Sequence, residues 1–357
     1  MKIAYILPSL VNTGPIVVVH NIIKYLISKV DLIDVYYFDK TPTILSFDCN
    51  VFQISKSDVI DFDKYDIIHS HTLWADVYLF RNRKKIKKAK TITTIHQDTF
   101  TCLTIQYNSI FSMILGNFWC YVQRNFDGVI AISDQLKNKY QKQLSGIERI
   151  YNGCTISEGA IIQPEIRNKI SSLRDQGFRV LGSYASITKG KGLAQVINAL
   201  PSLPEYIYVI FGEGPYLQTL KDTVIKLDLQ DRVLFLPYIK APYSYLYLID
   251  IYMMPSYSEG FGLAMVEAAL AGKSIVCSNL PSFHEIFTDE EVSFFELDNT
   301  DSLVHAITNA HLELDKKGEL AYLKANAFFT AEIMATNHLH YYQKKAAKSI
   351  TETSSNG

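Results

Sequence analysis

The sequence predicts an α/β protein made of two doubly wound, parallel-sheet domains. Short apolar runs alternate with longer helical patterns, as expected for strand–helix–strand units with right-handed crossovers. This alternation lapses near the middle of the chain and then restarts, so the sequence contains two such series. A length of 357 residues is sufficient for two domains that each bury a core.

The first series forms the predicted N-terminal domain, residues 1–160. Its strand-like runs are 2–8, 32–38, 65–71, 90–96, 128–133 and 149–153. Helical patterns at 16–29 and 134–144 lie between them. The stretch 108–123, NSIFSMILGNFWCYVQ, is interpreted as a buried or interfacial helix, because polar residues recur in it and it is short for a membrane span.

The second series forms the predicted C-terminal domain, residues 161–325. Its strands are 178–186, 206–214, 232–239, 250–256 and 273–278, with helices at 192–200, at 216–229 and after SEGFG. The boundary falls within 154–168, where strand signals lapse and Pro164 interrupts. A last helix, 326–347, is expected to pack back on the N-terminal domain. The tail 348–357, which ends in TETSSNG, is predicted to be disordered.

Composition narrows the class of protein. A hydrophobic fraction of 48% indicates a folded chain, and a net charge of −1 argues against a nucleic-acid partner. The five cysteines include no CxxC pair, so neither a disulfide framework nor a zinc site is indicated and a reducing compartment fits best. MKIAYILPSLV is interpreted as the first strand and not as a signal peptide. We therefore expect a cytoplasmic protein without a transmembrane helix.

A basic run, RNRKKIKKAK at 81–90, is the strongest local charge. One interpretation is a solvated helix end before a strand. The other is attraction to anionic lipid headgroups, worth roughly 1 kcal/mol per basic residue near the surface. The two interpretations are compatible, and together with the helix at 108–123 they predict peripheral contact with the inner face of the cell membrane.

Ligands of open parallel sheets bind outside the carboxyl ends of the strands, so the loops there are informative. NTGP places Gly14 where a ligand can approach the backbone before a helix begins. SITKGKG brings Lys189 and Lys191 among glycines after a buried strand, which indicates an anion site, although surface charge is the simpler alternative. FGEGP, with Glu213, fits turn chemistry and a ligand role equally well.

The segment SEGFGLAMVEA is the strongest of these loops. Backbone amides of Gly260, Phe261 and Gly262 at a helix N-terminus can bind phosphate closely. Glu259 before the helix and Glu267 inside it can accept hydrogen bonds from different hydroxyls. Phosphate and hydroxyl groups together describe a nucleotide sugar. The alternative is a core helix, punctuated by glycines, with two surface carboxylates.

These residues carry a resemblance that extends over nearly the whole chain. The sequence resembles the retaining glycosyltransferases of family 4, which have the GT-B fold of two Rossmann-like domains facing across a cleft and an E-x7-E signature, here Glu259 and Glu267. It is most similar to those that build capsule and O-antigen polysaccharides. The block LIDIYMMPSYSEGFGLAMVEAALAGKSIVCS is specific, and MKIAYILPSL, YDIIHSH, TITTIH, FDGVIAIS, RIYNG, KGLAQVI, FGEGP and RVLFLPYI follow the family in order.

The resemblance implies a catalytic set of His96, Glu259 and Lys191. Glu259 would bind the donor sugar, Lys191 would stabilise the leaving diphosphate, and His96 would lie by the donor sugar near the reacting centre. Glu267 would bind the ribose. The full donor-binding set implied is Gly14, Ser186, Lys189, Lys191, Glu213, Gly260, Phe261, Gly262, Leu263 and Glu267.

The same resemblance implies the substrates. The donor would be a nucleotide sugar, UDP- or GDP-linked, and the acceptor a saccharide or lipid-linked saccharide. Neither a metal nor a cofactor is implied, because cations and amides stabilise the leaving group. One departure stands out: where the family has arginine before the phosphate-binding lysine, this sequence has Ser186. Lys189 is the candidate replacement, although the bidentate geometry of arginine is lost.

Three alternatives remain open on the sequence. His69 and His71 form an H-x-H pair at a strand end, with His96 and Asp98 at another, as in metal-dependent hydrolases of the TIM-barrel class. The missing arginine also fits a non-catalytic, nucleotide-sugar-binding subunit. Finally, a nucleotide-sugar epimerase of the same fold would act on the donor alone.

Overall fold

The computed structural model of the chain describes residues 1–40, 45–106, 108–156, 162–237 and 242–354. The chain divides into two compact units, Met1–Cys154 with Phe329–Gly357, and Thr155–Phe328. Each unit contains a parallel sheet of Rossmann-like order. The prediction of two doubly wound α/β domains is confirmed, and a single TIM barrel is excluded.

The N-terminal unit has a seven-stranded sheet in the order β3-β2-β1-β4-β5-β6-β7, with all neighbouring strands parallel. Its inner strands are almost entirely buried, because helices cover both faces of a parallel sheet. Its elements are β1 (Lys2–Ser9), α1 (Gly14–Leu26), β2 (Leu32–Asp39), β3 (Asn50–Gln53), β4 (Ile67–His71), α2 (Leu73–Asn82), β5 (Lys90–Ile95), α3 (Thr99–Gln106), α4 (Ser109–Gln123), β6 (Gly128–Ala131), α5 (Asp134–Tyr140) and β7 (Glu148–Arg149).

The C-terminal unit has a six-stranded parallel sheet in the order β10-β9-β8-β11-β12-β13. Its core packs α7, α8 and α11 against the central strands. Its elements are α6 (Pro164–Asp175), β8 (Arg179–Tyr184), α7 (Leu193–Ala199), β9 (Tyr206–Phe211), α8 (Leu217–Lys226), β10 (Val233–Leu236), β11 (Ile251–Met254), α9 (Leu263–Leu270), β12 (Ser274–Ser278), α10 (Pro281–His284), β13 (Ser293–Phe295), α11 (Thr300–Leu312) and α12 (Leu314–Phe328).

The chain returns to the N-terminal unit through α13 (Ala331–Ser354), which packs on α1. A backbone bridge between Cys154 and Thr330 ties this return to the end of the first series. At Gly153 a Cβ would lie 2.2 Å from the Thr330 carbonyl oxygen, so only glycine permits the contact. The last helix is thereby attached to the first sheet, far away in sequence.

Several boundaries differ from the sequence expectations. The expected helix 326–347 is two helices, which break at Thr330, where the hydroxyl accepts from the Ile333 amide at 3.2 Å. α13 continues to Ser354, into the stretch 348–357 expected to be disordered, and 355–357 lie outside the described residues. Pro164 begins α6, because proline suits the first helical turn.

Other differences concern strands. β3 was not predicted, because a short, fully exposed edge strand has no buried face to impose alternation. The strand expected at 149–153 is only Glu148–Arg149. The strand expected at 232–239 is Val233–Leu236, and 238–239, like the boundary residues 157–161, lie outside the described part.

The strand orders determine where ligands can bind. In each unit the sheet runs in one direction from its first strand and then reverses, which creates a switch point between β1 and β4 and another between β8 and β11. The loops that leave β8 and β11 contain KGK and SEGFG. The fold of the C-terminal unit therefore brings these two motifs together.

Candidate active site

The KGK and SEGFG loops of the C-terminal unit contact each other directly. Gly192 adopts the left-handed conformation with φ 64°, and a Cβ there would lie 1.8 Å from the Pro255 carbonyl oxygen. The Tyr257 amide donates to the Gly190 carbonyl at 2.9 Å, and the Gln195 side chain donates to the Pro255 carbonyl at 2.8 Å. Glycine at 192 is therefore required for the loops to meet.

This loop contact pairs two of the predicted site residues. The Lys191 ammonium donates to Glu259 Oε1 at 2.5 Å, and the Ser256 hydroxyl donates to the same oxygen at 2.9 Å. The Glu259 side chain retains 14% exposure and that of Lys191 32%, so both can be reached from solvent. One cation and one carboxylate thus lie side by side at the switch point.

The start of α9 supplies backbone donors beside this pair. Gly262 precedes the helix with φ 84° and ψ 52°, and a Cβ there would lie 2.9 Å from the Phe283 ring. No side chain caps the helix start, and its first turn carries no acidic residue. The side chain of Phe261 is buried and anchors the turn. The amides around Gly262 and Leu263 can therefore bind an anion.

Glu267 lies about one turn into α9 and has a partner that the sequence did not reveal. The Tyr184 hydroxyl, at the end of β8, donates to Glu267 Oε2 at 2.5 Å and also lies 3.2 Å from the Ala264 carbonyl oxygen. Burial raises the pKa of Glu267 to about 7, against the opposing effect of the Tyr184 hydrogen bond. Glu267 can therefore titrate near neutral pH.

The remaining predicted donor residues have exposed side chains. Ser186 and Lys189 lie in the loop that contains Lys191, and Glu213 lies in the FGEGP loop, whose backbone bonds to it at Ile187. Within the described part of the chain no hydrogen bond or ion pair joins these three side chains to Glu259 or Glu267. The FGEGP glycines have a structural explanation: a Cβ at Gly212 or Gly214 would lie 1.9 Å or 2.4 Å from a carbonyl of the facing loop. The turn chemistry alternative therefore accounts for both glycines.

His96 lies in the N-terminal unit, directly after β5. It lines a cavity of about 260 Å³ together with Pro15, Trp74, Thr94 and Trp119. Burial, with His338 nearby, lowers the pKa of His96 to about 3, so the ring is neutral at physiological pH. Aromatic and polar groups together suit a sugar or similar amphipathic ligand.

Gly14 begins α1 and directly precedes Pro15, which lines the same cavity. A Cβ at Gly14 would meet no atom of the chain within 4 Å. The fold itself therefore does not require glycine at this position. Thr13, which precedes the helix, makes no side-chain capping bond, so the first-turn amides of α1 remain unused by a cap.

Thr72 lines the cavity too and was missed by sequence reasoning. Its backbone has φ 76° and ψ 165°, a region that a β-branched residue rarely adopts. Such strain costs of order 1–3 kcal/mol and clusters at functional sites. No sequence signal could have found it, because a threonine before a helix is the usual capping choice.

The H-x-H pair does not form a metal centre. The rings of His69 and His71 do lie on one face, with centroids 4.2 Å apart. Both nitrogens of His69 are occupied, by the Tyr342 hydroxyl at 2.7 Å and by Thr94 Oγ1 at 2.8 Å. Among the described residues, no three histidine, cysteine or acidic side chains converge as metal ligands. The metal-hydrolase alternative is therefore wrong in both fold and site.

Asp98, the fourth member of that alternative, is occupied elsewhere. Its carboxylate accepts from the Tyr140 hydroxyl at 2.6 Å and from the Lys139 ammonium at 2.8 Å. Burial opposes ionisation, but hydrogen bonds from Lys139, Thr101 and Tyr140 outweigh it and lower the pKa of Asp98 to about 2. Asp98 therefore ties α3 to α5.

Comparison with known families matches both halves of the chain. Residues 164–328 match the family model described as glycosyl transferases group 1, and residues 46–158 match that described as Glycosyltransferase Family 4. The O-antigen biosynthesis glycosyltransferase WclY of Escherichia coli is 33% identical over 354 residues, covering 96% of this chain and 98% of WclY.

Two further comparisons concern a solved structure and a relative that matches part of this chain. The solved structure of the HepE protein of Anabaena, in complex with UDP and glucose, covers 96% of this chain and 99% of its own, with a TM-score of 0.79 at 19% identity. A segment of 137 residues, 38% of this chain, is 31% identical to a Campylobacter jejuni 4-alpha-N-acetylgalactosaminyltransferase, covering 37% of it; its name gives a diphospho-undecaprenol-linked saccharide as acceptor.

Proposed function

Because this chain belongs to the glycosyltransferases, with a family 4 domain followed by a group 1 domain in the GT-B fold, we propose that it is a retaining enzyme of cell-surface polysaccharide assembly. Its donor is a nucleotide sugar, UDP- or GDP-linked. Its acceptor is a saccharide or lipid-linked saccharide. The O-antigen role of WclY and the lipid-linked acceptor in the Campylobacter enzyme's name support the acceptor class.

The pairing of Lys191 with Glu259 beside the start of α9 carries the donor assignment. A nucleotide sugar presents a diphosphate and vicinal hydroxyls within a few ångströms of each other. Lys191 and the amides of Gly260, Phe261, Gly262 and Leu263 bind the diphosphate, and Glu259 accepts hydrogen bonds from the sugar. Glu267 accepts from the ribose through Oε1, since the Tyr184 hydroxyl donates to Oε2.

Catalysis consists of leaving-group stabilisation at this site. As the sugar–phosphate bond breaks, negative charge grows on the diphosphate, and Lys191 with the helix-start amides stabilises it without a metal. Lys189 supplies a second cation in place of the arginine absent at Ser186. Within the N-terminal unit, His96 contributes a hydrogen bond to a sugar bound in the cavity that it lines, and Gly14 next to Pro15 allows close approach of that ligand. Glu213, whose side chain is exposed, provides a further polar contact to the donor.

Thermal-shift measurements with UDP-, GDP- and ADP-sugars test the donor assignment. We expect one nucleotide class to raise the unfolding temperature, and the same sugar to be transferred to a lipid-linked saccharide with retained configuration. The unfolding temperature of a purely binding subunit would rise with the donor, but the subunit would neither hydrolyse nor transfer it. An epimerase would convert the donor with no acceptor present. Either result would replace the proposal.

Glu267 gives this site an expected pH dependence. Because its pKa is about 7, the carboxylate fraction rises through neutral pH, and donor affinity should rise with it. The Tyr184 hydroxyl stabilises the carboxylate, so Tyr184→Phe should move the midpoint to higher pH. Calorimetric titration with nucleotide between pH 5.5 and 8.5 would measure the affinity as a function of pH. This range covers about one and a half pH units on either side of the pKa of Glu267.

Glu267→Gln is the control, since it cannot titrate and should bind nucleotide equally across that range. A midpoint that stays in place or moves down in Tyr184→Phe would contradict the assignment of the titration to Glu267. Phenylalanine keeps the ring buried and removes only the hydroxyl, so the fold should be unaffected.

The surface of α4 supports contact with a membrane. The helix contains no charged residue, and Ile110, Met113, Ile114, Phe118 and Tyr121 are between 42% and 69% exposed. The Tyr121 ring packs on Phe80 at 5.6 Å, and Arg83 of the basic run lies over Phe80 at 4.0 Å. The exposed apolar surface of α4 and the basic run therefore adjoin each other. Among the helices that the structure describes, none combines the length and the hydropathy of a transmembrane span.

We therefore propose peripheral binding to the cytoplasmic face of the cell membrane through α4 and the basic run. Lys88 and Lys90 are paired with Asp66 and Asp127, so Lys84, Lys85 and Lys87 are the lysines of the basic run that are exposed and have no ion pair among the described residues. The triple change of these lysines to glutamine should lower partitioning onto vesicles containing phosphatidylglycerol by about 10²-fold, at roughly 1 kcal/mol per charge.

Vesicle co-sedimentation at two salt concentrations measures this effect. Neutral phosphatidylcholine vesicles and a triple change of Lys137, Lys221 and Lys226, which lie on other helices, are the controls. If the basic-run variant sediments with anionic vesicles as the unchanged protein does, the proposal of electrostatic membrane contact is wrong.

A further inference from the structure

His96 has a buried neighbour, His71, that has no role in the function proposed above. His71, at the end of β4, places Nδ1 2.8 Å from His96 Nε2. This distance is that of a hydrogen bond, and only one proton lies between the two nitrogens. Which ring donates decides what His96 can offer to a substrate.

Both rings carry a single N–H. Burial lowers the pKa of His71 well below its usual range, with further lowering from His69 and His96, and His96 is lowered to about 3. At physiological pH each ring is therefore neutral, with one donor nitrogen and one acceptor nitrogen. Two arrangements are then available: His71 donates to His96, or His96 donates to His71.

The second nitrogen of His71 distinguishes these arrangements. His71 Nε2 is buried, and it has no hydrogen-bond partner among the described residues. If His96 donated, the proton of His71 would have to lie on Nε2, as a buried donor with nothing to bond. Orphaned buried N–H groups are rarer than under-satisfied acceptors. His71 Nδ1 is therefore the donor, His96 Nε2 accepts, and the proton of His96 lies on Nδ1.

His71 itself is held firmly in this orientation. The His69 ring packs against it in a tilted arrangement with centroids 4.2 Å apart, and His69 is fixed at both nitrogens by Tyr342 and Thr94. The Tyr5 ring lies 6.1 Å from His71. The packed rings restrict rotation of His71, as the partners of a ligating or catalytic histidine commonly do.

We propose that His71 is a positioning residue that holds His96 as the Nδ1–H tautomer, so that His96 donates a hydrogen bond to a substrate oxygen in the cavity and does not act as a base. This inference rests on the role proposed for His96. A sugar hydroxyl or ring oxygen is a suitable acceptor for such a donor. The opposite tautomer would present a lone pair, which could remove a proton from an acceptor hydroxyl.

Nitrogen NMR of protein labelled with ¹⁵N-histidine tests the tautomer without relying on activity. The chain has nine histidines, and His96→Gln assigns the His96 signals by their loss. We expect the directly bonded proton on Nδ1 of His96. In His71→Leu the signals should move toward a mixture of tautomers. His71→Asn, whose side-chain amide can donate from nearly the same place, should retain Nδ1–H.

Activity should follow the tautomer. His71→Leu should lower kcat about tenfold, the effect of one misdirected hydrogen bond in the transition state, and His71→Asn should restore most of it. His340→Asn, an exposed histidine on α13, is the matched control for loss of a histidine. Unfolding temperatures of the variants separate a lost fold from a changed tautomer.

A proton on Nε2 of His96 in the unchanged protein would overturn the inference. Equal activity of the leucine and asparagine variants, despite a changed tautomer, would also overturn the positioning role. If the tautomer is as expected but His96→Gln transfers sugar at the normal rate, the tautomer assignment stands and the role of His96 in the proposed function is wrong.

Discussion

Lys191→Met is expected to lower kcat for sugar transfer by about 10² to 10³-fold, the loss seen when one group that stabilises developing negative charge is removed. Methionine keeps an unbranched side chain of similar length, so the loop between β8 and α7 should persist. Because the charge on the leaving diphosphate grows only as the bond breaks, the effect should fall mainly on kcat and less on KM. Steady-state kinetics with donor and acceptor both varied would measure the two constants.

Two other lysines make this prediction sharper. Lys221→Met, on the exposed face of α8, should leave kcat unchanged. Lys189→Met should cost activity too, but less, because Lys189 is exposed and Lys191 lies beside Glu259. This comparison tests whether Lys189 compensates for the arginine absent at Ser186. A Lys191→Met enzyme with kcat within about twofold of the unchanged enzyme would contradict the leaving-group role.

Glu259→Gln is expected to weaken the binding of the nucleotide sugar about 10- to 100-fold while leaving the free nucleotide almost unaffected. Glutamine keeps the shape and one acceptor oxygen but removes the charge that strengthens hydrogen bonds from the sugar hydroxyls. Free nucleotide has no donor sugar, so it reports any general damage to the site. Titration calorimetry with the nucleotide and with its sugar conjugate gives both affinities for one variant.

The two charges should also prove coupled. Lys191 and Glu259 lie 2.5 Å apart, so the effects of Lys191→Met and Glu259→Gln should not add in the double variant. Purely additive losses in kcat/KM would show that the ion pair has no energetic consequence for catalysis. Equal weakening of nucleotide and nucleotide sugar in Glu259→Gln would show that Glu259 does not bind the sugar.

The sequence predicted structure best where the structure depends on a few neighbouring residues. Gly192 and Gly262 need positive φ, and a glycine-rich turn that leads into an apolar helix indicates a phosphate site without knowledge of the fold. The order of apolar runs predicted two parallel sheets, because strands buried on both faces carry continuous apolar residues. The same reasoning missed β3, whose exposed residues have no such pattern.

The partners of the site residues were not predictable in this way. In the sequence, Tyr184 is simply another residue of the buried strand pattern FRVLGSYAS. It becomes the hydrogen-bond partner of Glu267 only because α9 packs beside the end of β8. His71 and His96 are separated by a whole helix, and the sequence suggested a metal site where the fold forms a hydrogen bond between the two rings. Thr72 has a strained backbone, which cannot be predicted from the residue type.

The sequence by itself determined the class of fold, the two glycine-rich loops that leave β8 and β11, and the identity of the charged residues, because these depend on periodicity, on glycine conformations and on residue chemistry along a short segment. Only the tertiary structure decided that Lys191 contacts Glu259, that the Tyr184 hydroxyl donates to Glu267, and that His71 lies within hydrogen-bond distance of His96. These are contacts between strand ends that parallel crossovers bring side by side, and the distance along the chain says nothing about which side chains then meet.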